Sequence, residues 1–227
     1  MTAGDREKIL RLLEERRKAG AEHLPEPDAL RVLAAAGVPV VPHAFVAGAD
    51  EAAAFASSCG YPVVVKGILS AVAHKTEKGL VHPWVRGEAE LRAVAGALPA
   101  GCEGILVQEH VAGIRELVVG IVRDPTFGPS VLAAMGGVHS ELLSDTSFVL
   151  APVDPREARE ALGRLRCARM LGAYRGEAPA SLDDLVDIMV RVGDLAVEIP
   201  GIRELDINPV ILRRDGRPVA CSGLVVL

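Results

Sequence analysis

The spacing of hydrophobic and polar residues changes along the chain, and each change predicts a different kind of element. Between residues 5 and 19, Ile9, Leu12 and Leu13 recur among charged residues at helical spacing, which predicts an amphipathic helix. Residues 63–67 read Val-Val-Val-Lys-Gly, a short apolar run that is typical of a strand buried on both faces. Similar patterns predict helices at 29–36, 50–58, 88–98, 154–165 and 181–198, and strands at 38–46, 104–109, 116–122, 130–135, 203–212 and 218–224.

This alternation of helices and strands predicts an α/β or α+β fold with two lobes. Asp154 and Ser181 stand where the N-caps of two of the helices are expected. The Pro-Ala-Gly turn at 99–101 marks the expected boundary between the lobes. We therefore predict an N-terminal helix at 1–23, a first lobe at 24–104 and a second lobe at 105–227.

Composition and charge exclude several classes of partner. Seven of the 227 residues are aromatic, too few for a surface that stacks bases, and the net charge is −5, so we expect no nucleic-acid partner. No apolar run reaches the roughly 18 residues of a membrane-spanning helix, so we expect no membrane partner. The four cysteines lie 43, 65 and 54 residues apart, which fits neither a zinc site nor a disulfide framework and indicates free thiols in a cytoplasmic protein.

Lys66, at the end of the valine strand, is the first candidate for chemistry. An ammonium group is rarely buried without an anion, so Lys66 either leaves the strand end for water or binds a phosphate or carboxylate. The loop that follows carries His74 and Lys75. It is either a solvated turn or a source of cationic donors for a polyphosphate, in which a neutral His74 imidazole could attack phosphorus.

The segment from residue 105 to residue 120 leads from one predicted strand into the next. A linker between lobes offers backbone N–H and C=O groups that could bind an adenine edge. A carboxylate in this segment, at Glu109 or Glu116, would suit ribose hydroxyls. The same segment is also explained as an ordinary crossover between strands, and the residues alone favour that interpretation.

An oxygen-rich row is predicted on the strand that begins at residue 203. Because side chains alternate between the two faces of a strand, Glu204, Asp206 and Asn208 share one face. Two carboxylates and an amide carbonyl suit a hard cation such as magnesium. The alternative is an edge strand with a solvent-facing polar row.

Two glycine-containing segments could also take part in binding. The Gly136-Gly137 pair at a strand end would permit close approach by a ligand or another chain. Arg175, in a loop that ends with Gly176, could clamp an anion, although an ordinary loop after a helix would look the same.

In this order and spacing, the segments resemble the nucleotide-binding β subunit of the NDP-forming acyl-CoA synthetases, an ATP-grasp family, over residues 24–224. The acetate–CoA ligase (ADP-forming) β subunit is the nearest type, and the succinyl-CoA synthetase β subunit is a more distant relative. The resemblance implies two lobes with a nucleotide cleft between them, and the reaction acyl-CoA + ADP + phosphate ⇌ acid + CoA + ATP. It is carried by residues 60–66, 74–77, 107–109, 123–125, 127–129, 136–137, 150–152, 174–176 and 206–209.

The resemblance also implies roles for the residues that would contact the nucleotide, ATP or ADP. Lys66 would bind the α and β phosphates of ATP. His74 would relay a phosphoryl group between the acyl-CoA site and the nucleotide, with Lys75 beside it. Glu109 and Val111 would sit at the adenine through their backbone groups.

The remaining implied roles concern the sugar, the metal and a partner. Glu116 would reach the ribose, and Asp206 and Asn208 would coordinate Mg²⁺. The Gly136-Gly137 loop and Arg175 would face the phosphohistidine loop of the partner subunit. Lys66, His74 and Arg175 would then be the catalytic residues.

The chain departs from the family pattern at three positions. The family's last strand usually ends in an acidic residue that completes the magnesium site, and Ser222 occupies that position here. Leu80 replaces a family glycine after the histidine loop, and Val149 replaces the family arginine before Leu-Ala-Pro. Glu204, on the metal side of its strand, could compensate for the carboxylate lost at Ser222.

Coenzyme A would need a domain that this sequence does not show, because no glycine-rich dinucleotide fingerprint follows a strand. A CoA-binding α subunit is therefore expected, in an oligomer. Two functions remain: an active β subunit, or a degenerate ATP-grasp module that acts as a non-catalytic nucleotide-binding, regulatory or structural subunit.

Overall fold

The computed structural model describes residues 1–69, 79–137 and 145–227. Contacts divide the chain into two compact units. One unit consists of Val41–Val111, and the other combines Met1–Val40 with Ala112–Leu227. His74 and Lys75 lie outside the described residues.

Helices and strands alternate in both units, as the spacing of apolar residues predicts. The helices are α1 (Ala3–Lys18), α2 (Glu26–Ala35), α3 (Ala49–Cys59), α4 (Glu88–Ala97), α5 (Pro155–Arg164) and α6 (Leu182–Glu198), with a short 3-10 helix at Ala168–Leu171. The strands are β1 (His43–Val46), β2 (Val63–Ile68), β3 (Val81–Val85), β4 (Gly104–Glu109), β5 (Arg115–Asp124), β6 (Gly128–Met135), β7 (Thr146–Leu150), β8 (Glu204–Leu212), β9 (Pro218–Ala220) and β10 (Leu224–Val226).

The unit of residues 41–111 is built on a four-stranded antiparallel sheet with the strand order β1-β4-β2-β3. Helices α3 and α4 pack on one face, where Ala52 joins Val63, Val65 and Val107 in the core. Because neighbouring side chains in a strand point to opposite faces, Lys66 belongs to the other face of this sheet.

The second unit is built on a six-stranded antiparallel sheet with the order β10-β8-β5-β6-β7, and β9 also pairs with β8. Helix α6 packs on β5 and β6. The buried residues of β8 alternate with exposed ones, as the sequence predicts. We call the face that carries the exposed residues of β8 the acidic face; its polar members on the two central strands are Glu116, Glu204, Asp206 and Asn208.

The first forty residues pack with the C-terminal strands of this second unit. The Leu24 amide donates to the Val225 carbonyl at 2.9 Å, and the Ala220 amide donates to the Pro39 carbonyl at 2.9 Å. The predicted segments 24–104 and 105–227 therefore differ from the compact units, because residues 24–40 join the six-stranded sheet and β4 joins the four-stranded one. These pairings link distant parts of the chain, and local periodicity carries no signal for them.

Sequence signals from neighbouring residues were more informative about the fold than signals between distant parts of the chain. The predicted N-caps are confirmed, since Asp154 Oδ1 accepts from the Arg156 amide at 2.8 Å and Ser181 Oγ accepts from the Asp184 amide at 3.4 Å. The predicted strand at 218–224 is two strands, β9 and β10, and the sequence reasoning missed β3 and β7.

No helix within the described residues is long and apolar enough to cross a membrane.

Candidate functional site

Lys66 lies inside the four-stranded sheet rather than at its end. It stands opposite Val81 of β3 and Leu106 of β4, and only 9% of the residue is exposed. The interpretation in which Lys66 points from a strand end into water is therefore wrong. An ammonium group in such a position requires polar or anionic partners. Lys66 therefore places a positive charge on the face of the sheet opposite helices α3 and α4.

The end of β4 carries the segment that the sequence assigns to adenine. The Glu109 amide donates to the Pro42 carbonyl at 3.0 Å, so an adenine contact at Glu109 would have to use its carbonyl oxygen. Val111 is buried. The ring of His110, between them, stacks on Trp84 of β3 with the ring centroids 3.9 Å apart. Because Trp84 is the single tryptophan of the chain, its fluorescence reports on this end of the sheet.

Glu116 and the glycine pair meet in the second unit. The Gly136 amide donates to the Glu116 carbonyl at 2.7 Å. A β-carbon added to Gly136 would lie 3.1 Å from the β-carbon of Glu116, which is closer than side chains normally approach. Gly137 has a φ of +89°, a conformation that glycine adopts without strain. The Gly136-Gly137 pair therefore permits a close approach between strands, and the residue that lies close to it is Glu116.

Asp206 and Asn208 lie on the acidic face, where the alternation of β8 places them. Asp206 stands opposite Gly120 of β5 and Leu224 of β10. Leu117 pairs with Val210 and Val119 with Ile207, so β8 has one extra residue opposite Val118. Alternation alone puts Asn208 on the face of Asp206, and the β-bulge that follows returns Val210 to the core.

The carboxyl of Asp206 is perturbed by its surroundings. Asp206 is exposed at the surface. The protein around its carboxyl nevertheless raises the pKa of that carboxyl above the ordinary value, because partial loss of water disfavours the charged form. A hydrogen bond from the side chain of Asn208 favours the carboxylate and opposes this effect. A divalent cation at this pair would likewise favour the charged form.

The backbone brings Ser222 beside the same pair. The Cys221 amide donates to the Pro209 carbonyl at 3.0 Å, and a β-carbon built on Gly223 would lie 3.9 Å from the Asp206 carbonyl oxygen. Residues 221–223 therefore run along 206–209. The position aligned with the family's acidic residue is adjacent to the two candidate ligands.

The donor set of this region suits a cation that brings further ligands with it. Within the ranges that the structure describes, no group of three or more His, Cys, Asp or Glu side chains could hold a metal ion by itself. Asp206 and Asn208 offer two hard oxygen donors. Magnesium in nucleotide sites usually binds one or two carboxylates together with phosphate oxygens and water. The pair therefore fits magnesium bound with a polyphosphate.

Arg175 is presented by a tight turn, and the residue that anchors this turn was missed by the sequence reasoning. Arg175 and Gly176 have φ angles of +47° and +84°, and Tyr174 and Glu177 pair across them. Glu177 is bound by Arg115, which is fully buried at the start of β5. The signal for Arg115 was an arginine on the strand face that also carries the buried apolar residues Leu117, Val119 and Ile121.

Comparison with known proteins identifies the family. The ATP-grasp domain family matches residues 15–227. The β subunit of acetate–CoA ligase [ADP-forming] I from Pyrococcus furiosus is 34% identical over 98% of this chain and 100% of its own length. Acetate–CoA ligase [ADP-forming] I from Archaeoglobus fulgidus is 41% identical over 92% of this chain, and this chain spans 31% of that protein's length.

A solved structure gives the same result. It is of acetyl-coenzyme A synthetase 1 from Ca. Korarchaeum cryptofilum, with coenzyme A and Mg-AMPPCP, and its phosphohistidine segment points towards the nucleotide binding site. The TM-score is 0.86 at 31% identity, with 96% of this chain and 99% of that chain covered. The present chain belongs to the ATP-grasp family, among the β subunits of the ADP-forming acetate–CoA ligases, and the fold expected from the resemblance is confirmed.

Proposed function

We propose that this chain is the nucleotide-binding β subunit of an ADP-forming acyl-CoA synthetase and transfers a phosphoryl group between a partner subunit and ADP. The observation that carries the proposal is the match, over nearly the whole chain, to a Pyrococcus protein that is itself a separate β subunit. The relatives are named as ligases, which supports the catalytic role over a non-catalytic module.

The resemblance supplies the proposed nucleotide contacts. Lys66 binds the α and β phosphates, and its burial supports this role because a phosphate would offset the cost of desolvating the ammonium group. The Glu109 carbonyl and the backbone of Val111 bind the adenine, and Glu116 binds the ribose. Catalysis by such a site consists mainly of positioning and charge neutralisation.

Asp206 and Asn208 hold Mg²⁺ in this proposal. The cation would supply charge neutralisation at the phosphates of the bound nucleotide. Glu204 lies two residues before Asp206 on the acidic face and adds negative charge to the region. Ser222 supplies a neutral hydroxyl beside the pair in place of a carboxylate, so we expect weaker magnesium binding than a third acidic residue would give.

His74 and Lys75 complete the proposed transfer. A ring nitrogen of His74 takes the phosphoryl group from the phosphohistidine of the partner, which breaks one N–P bond and forms another. The β-phosphate oxygen of ADP then displaces His74 from phosphorus and forms ATP. The Gly136-Gly137 loop and Arg175 face the partner's phosphohistidine loop.

The partner in this proposal is a CoA-binding α subunit, and the active form is an oligomer of both chains. Co-expression of this chain with a candidate α subunit should give a complex that makes ATP from acetyl-CoA, ADP and phosphate when magnesium is present. Calorimetry on this chain alone should give binding heat with magnesium and ATP.

Two outcomes would contradict the proposal in different ways. If neither the chain nor the complex binds magnesium and ATP at millimolar concentrations, nucleotide binding itself is wrong. If the complex binds the nucleotide but makes no ATP from any acyl-CoA tested, the chain is a non-catalytic ATP-grasp module.

A further inference from the structure

Arg115 is a buried charge that the proposed chemistry does not use directly. Its side chain is fully buried, and its Nε lies 3.1 Å from Oε2 of Glu177, which is itself only 8% exposed. The second oxygen of Glu177 accepts from the Ile114 amide at 3.2 Å. Burying such a pair costs free energy unless nearly every donor and acceptor is satisfied.

The remaining donors of Arg115 bind the backbone around the Arg175 turn. Its guanidinium donates to the carbonyls of Met170 at 3.2 Å, Gly172 at 2.9 Å and Ala178 at 2.5 Å. Together with Glu177, these contacts fix the backbone on both sides of residues 173–176. The planar fork of arginine can make these contacts at once, whereas a lysine ammonium cannot.

Between these fixed points the chain makes a two-residue turn, and Arg175 stands at its tip. The Glu177 amide donates to the Tyr174 carbonyl at 2.9 Å, and the Tyr174 amide donates to the Glu177 carbonyl at 3.3 Å. Positive φ angles at both central residues, Arg175 and Gly176, are the mark of a type I′ turn. Arg175 is exposed, and its guanidinium carbon lies 5.4 Å from the ring centroid of Tyr174.

We propose that Arg115, through Glu177, is the positioning residue of the Arg175 turn and holds the Arg175 guanidinium where it contacts the phosphoryl group carried by the partner subunit. The inference rests on the proposed function. A flexible arginine on a free loop would lose side-chain and backbone freedom when it binds an anion, whereas the anchored turn has already lost the backbone part of that freedom.

Arg123 provides a matched control on the same strand. Its guanidinium also donates to backbone carbonyls, those of Ala196 at 2.7 Å near the C-terminal end of α6 and of Ile202 at 2.6 Å just beyond it. None of the contacts that the structure gives Arg123 involves residues 170–178. Arg123→Lys therefore removes the same type of bond from the same sheet without disturbing the Arg175 turn.

The decisive experiment is a double-mutant cycle in the complex with the partner subunit. We expect Arg115→Lys and Arg175→Ala each to lower kcat for ATP formation, by up to about 100-fold, with the KM for ADP unchanged. We expect the double variant to be no slower than Arg175→Ala, because Arg115 acts through Arg175. Arg123→Lys should leave kcat within about twofold of the wild type, since it touches no part of the turn.

Hydrogen exchange on the chain alone tests whether Arg115 anchors the turn, separately from whether the turn acts on catalysis through Arg175. The amides of Tyr174 and Glu177 should exchange faster in Arg115→Lys, while the Val119 amide, in the middle of the sheet, keeps its wild-type rate. Unchanged exchange at Tyr174 and Glu177 overturns the positioning role, whether or not the complex is active. Faster exchange together with additive losses in kcat overturns the action through Arg175. An inactive wild-type complex instead contradicts the proposed function, and the exchange rates then decide the positioning role.

Discussion

Lys66 and Asp206 are opposite charges on two different sheets, and their surroundings differ. Lys66 is buried between aliphatic residues of both neighbouring strands, whereas Asp206 is exposed beside Gly120, which has no side chain to cover it. The buried ammonium depends on the partners that offset its desolvation. The carboxyl of Asp206 still meets water, although the surrounding protein disfavours its charged form, and a cation there would favour that charged form. The ammonium group of Lys66 therefore lies in the interior of its sheet, whereas the carboxyl of Asp206 lies at a surface where a cation can reach it.

The largest expected effect is at Lys66. Lys66→Met keeps the length of the side chain among Val81 and Leu106 but removes the ammonium group. We expect kcat/KM for ADP in the complex to fall by about 100- to 1,000-fold, because the phosphates lose a positive charge that would stabilise them.

The exposed Lys8, which pairs with Asp5 at 3.0 Å, provides the control for that variant. Lys8→Met should leave kcat/KM for ADP unchanged. A Lys66→Met enzyme with near-wild-type kcat/KM would show that this buried charge serves the fold alone.

The next effect concerns the exposed carboxylate. Asp206→Asn should weaken ATP binding in magnesium by about 10- to 100-fold, while binding in EDTA changes little, because the lost charge acts on the cation. Quenching or enhancement of Trp84 fluorescence gives the titration curve. Glu204→Gln, on the same face of β8, should have the smaller effect. Equal losses in both variants would place the cation between the two carboxylates instead of at Asp206 and Asn208.

A smaller gain is expected at Ser222. Ser222→Asp adds a carboxylate beside Asp206 and Asn208, so we expect magnesium to saturate ATP binding at a concentration lower by about tenfold. The measurement is a magnesium titration at fixed ATP, and Ser222→Asn, which adds a similar volume without the charge, is the control. An unchanged midpoint in Ser222→Asp would mean that residue 222 is not at the metal.

The smallest effect is on stability. Because the surroundings raise the pKa of Asp206, the folded chain binds this proton more tightly than the unfolded chain does. Its contribution to stability therefore falls as pH rises from the ordinary carboxyl pKa of about 3.9 through the raised value, and it stays low at neutral pH. Without magnesium, Asp206→Asn should be slightly more stable than the wild type at neutral pH but not in acid. Urea unfolding at both pH values tests this, and a less stable variant at neutral pH would contradict it.

Side-chain alternation predicted the acidic face well, because it depends only on local backbone geometry. Glu204, Asp206 and Asn208 are exposed and Leu205 and Ile207 are buried. Alternation could not predict the bulge opposite Val118, which depends on the register between β8 and β5. Lys66 was placed in a strand correctly, but its burial follows from pairing with β4 and with β3, which begins 15 residues further along the chain.

Long-range contacts explain the other differences. Arg115 stands 62 residues before Glu177, so no local pattern links the anchor to the turn. Arg123 belongs to a segment that carries the family resemblance, and the structure gives it contacts to the end of α6. The roles of Lys66, His74, Glu116 and Arg175 stay predictions, since they depend on ligands and a partner.

The division of the chain also has a consequence for the order of folding during synthesis. Every strand of the four-stranded sheet lies within residues 43–109, so this sheet can be complete as soon as that stretch has left the ribosome. The six-stranded sheet has its edge at β10, and residue 24 binds residue 225, so the first forty residues wait for the last strand. Translation at about 5–20 residues per second makes that delay about 10 to 40 seconds, during which α1 and α2 lack their final partners.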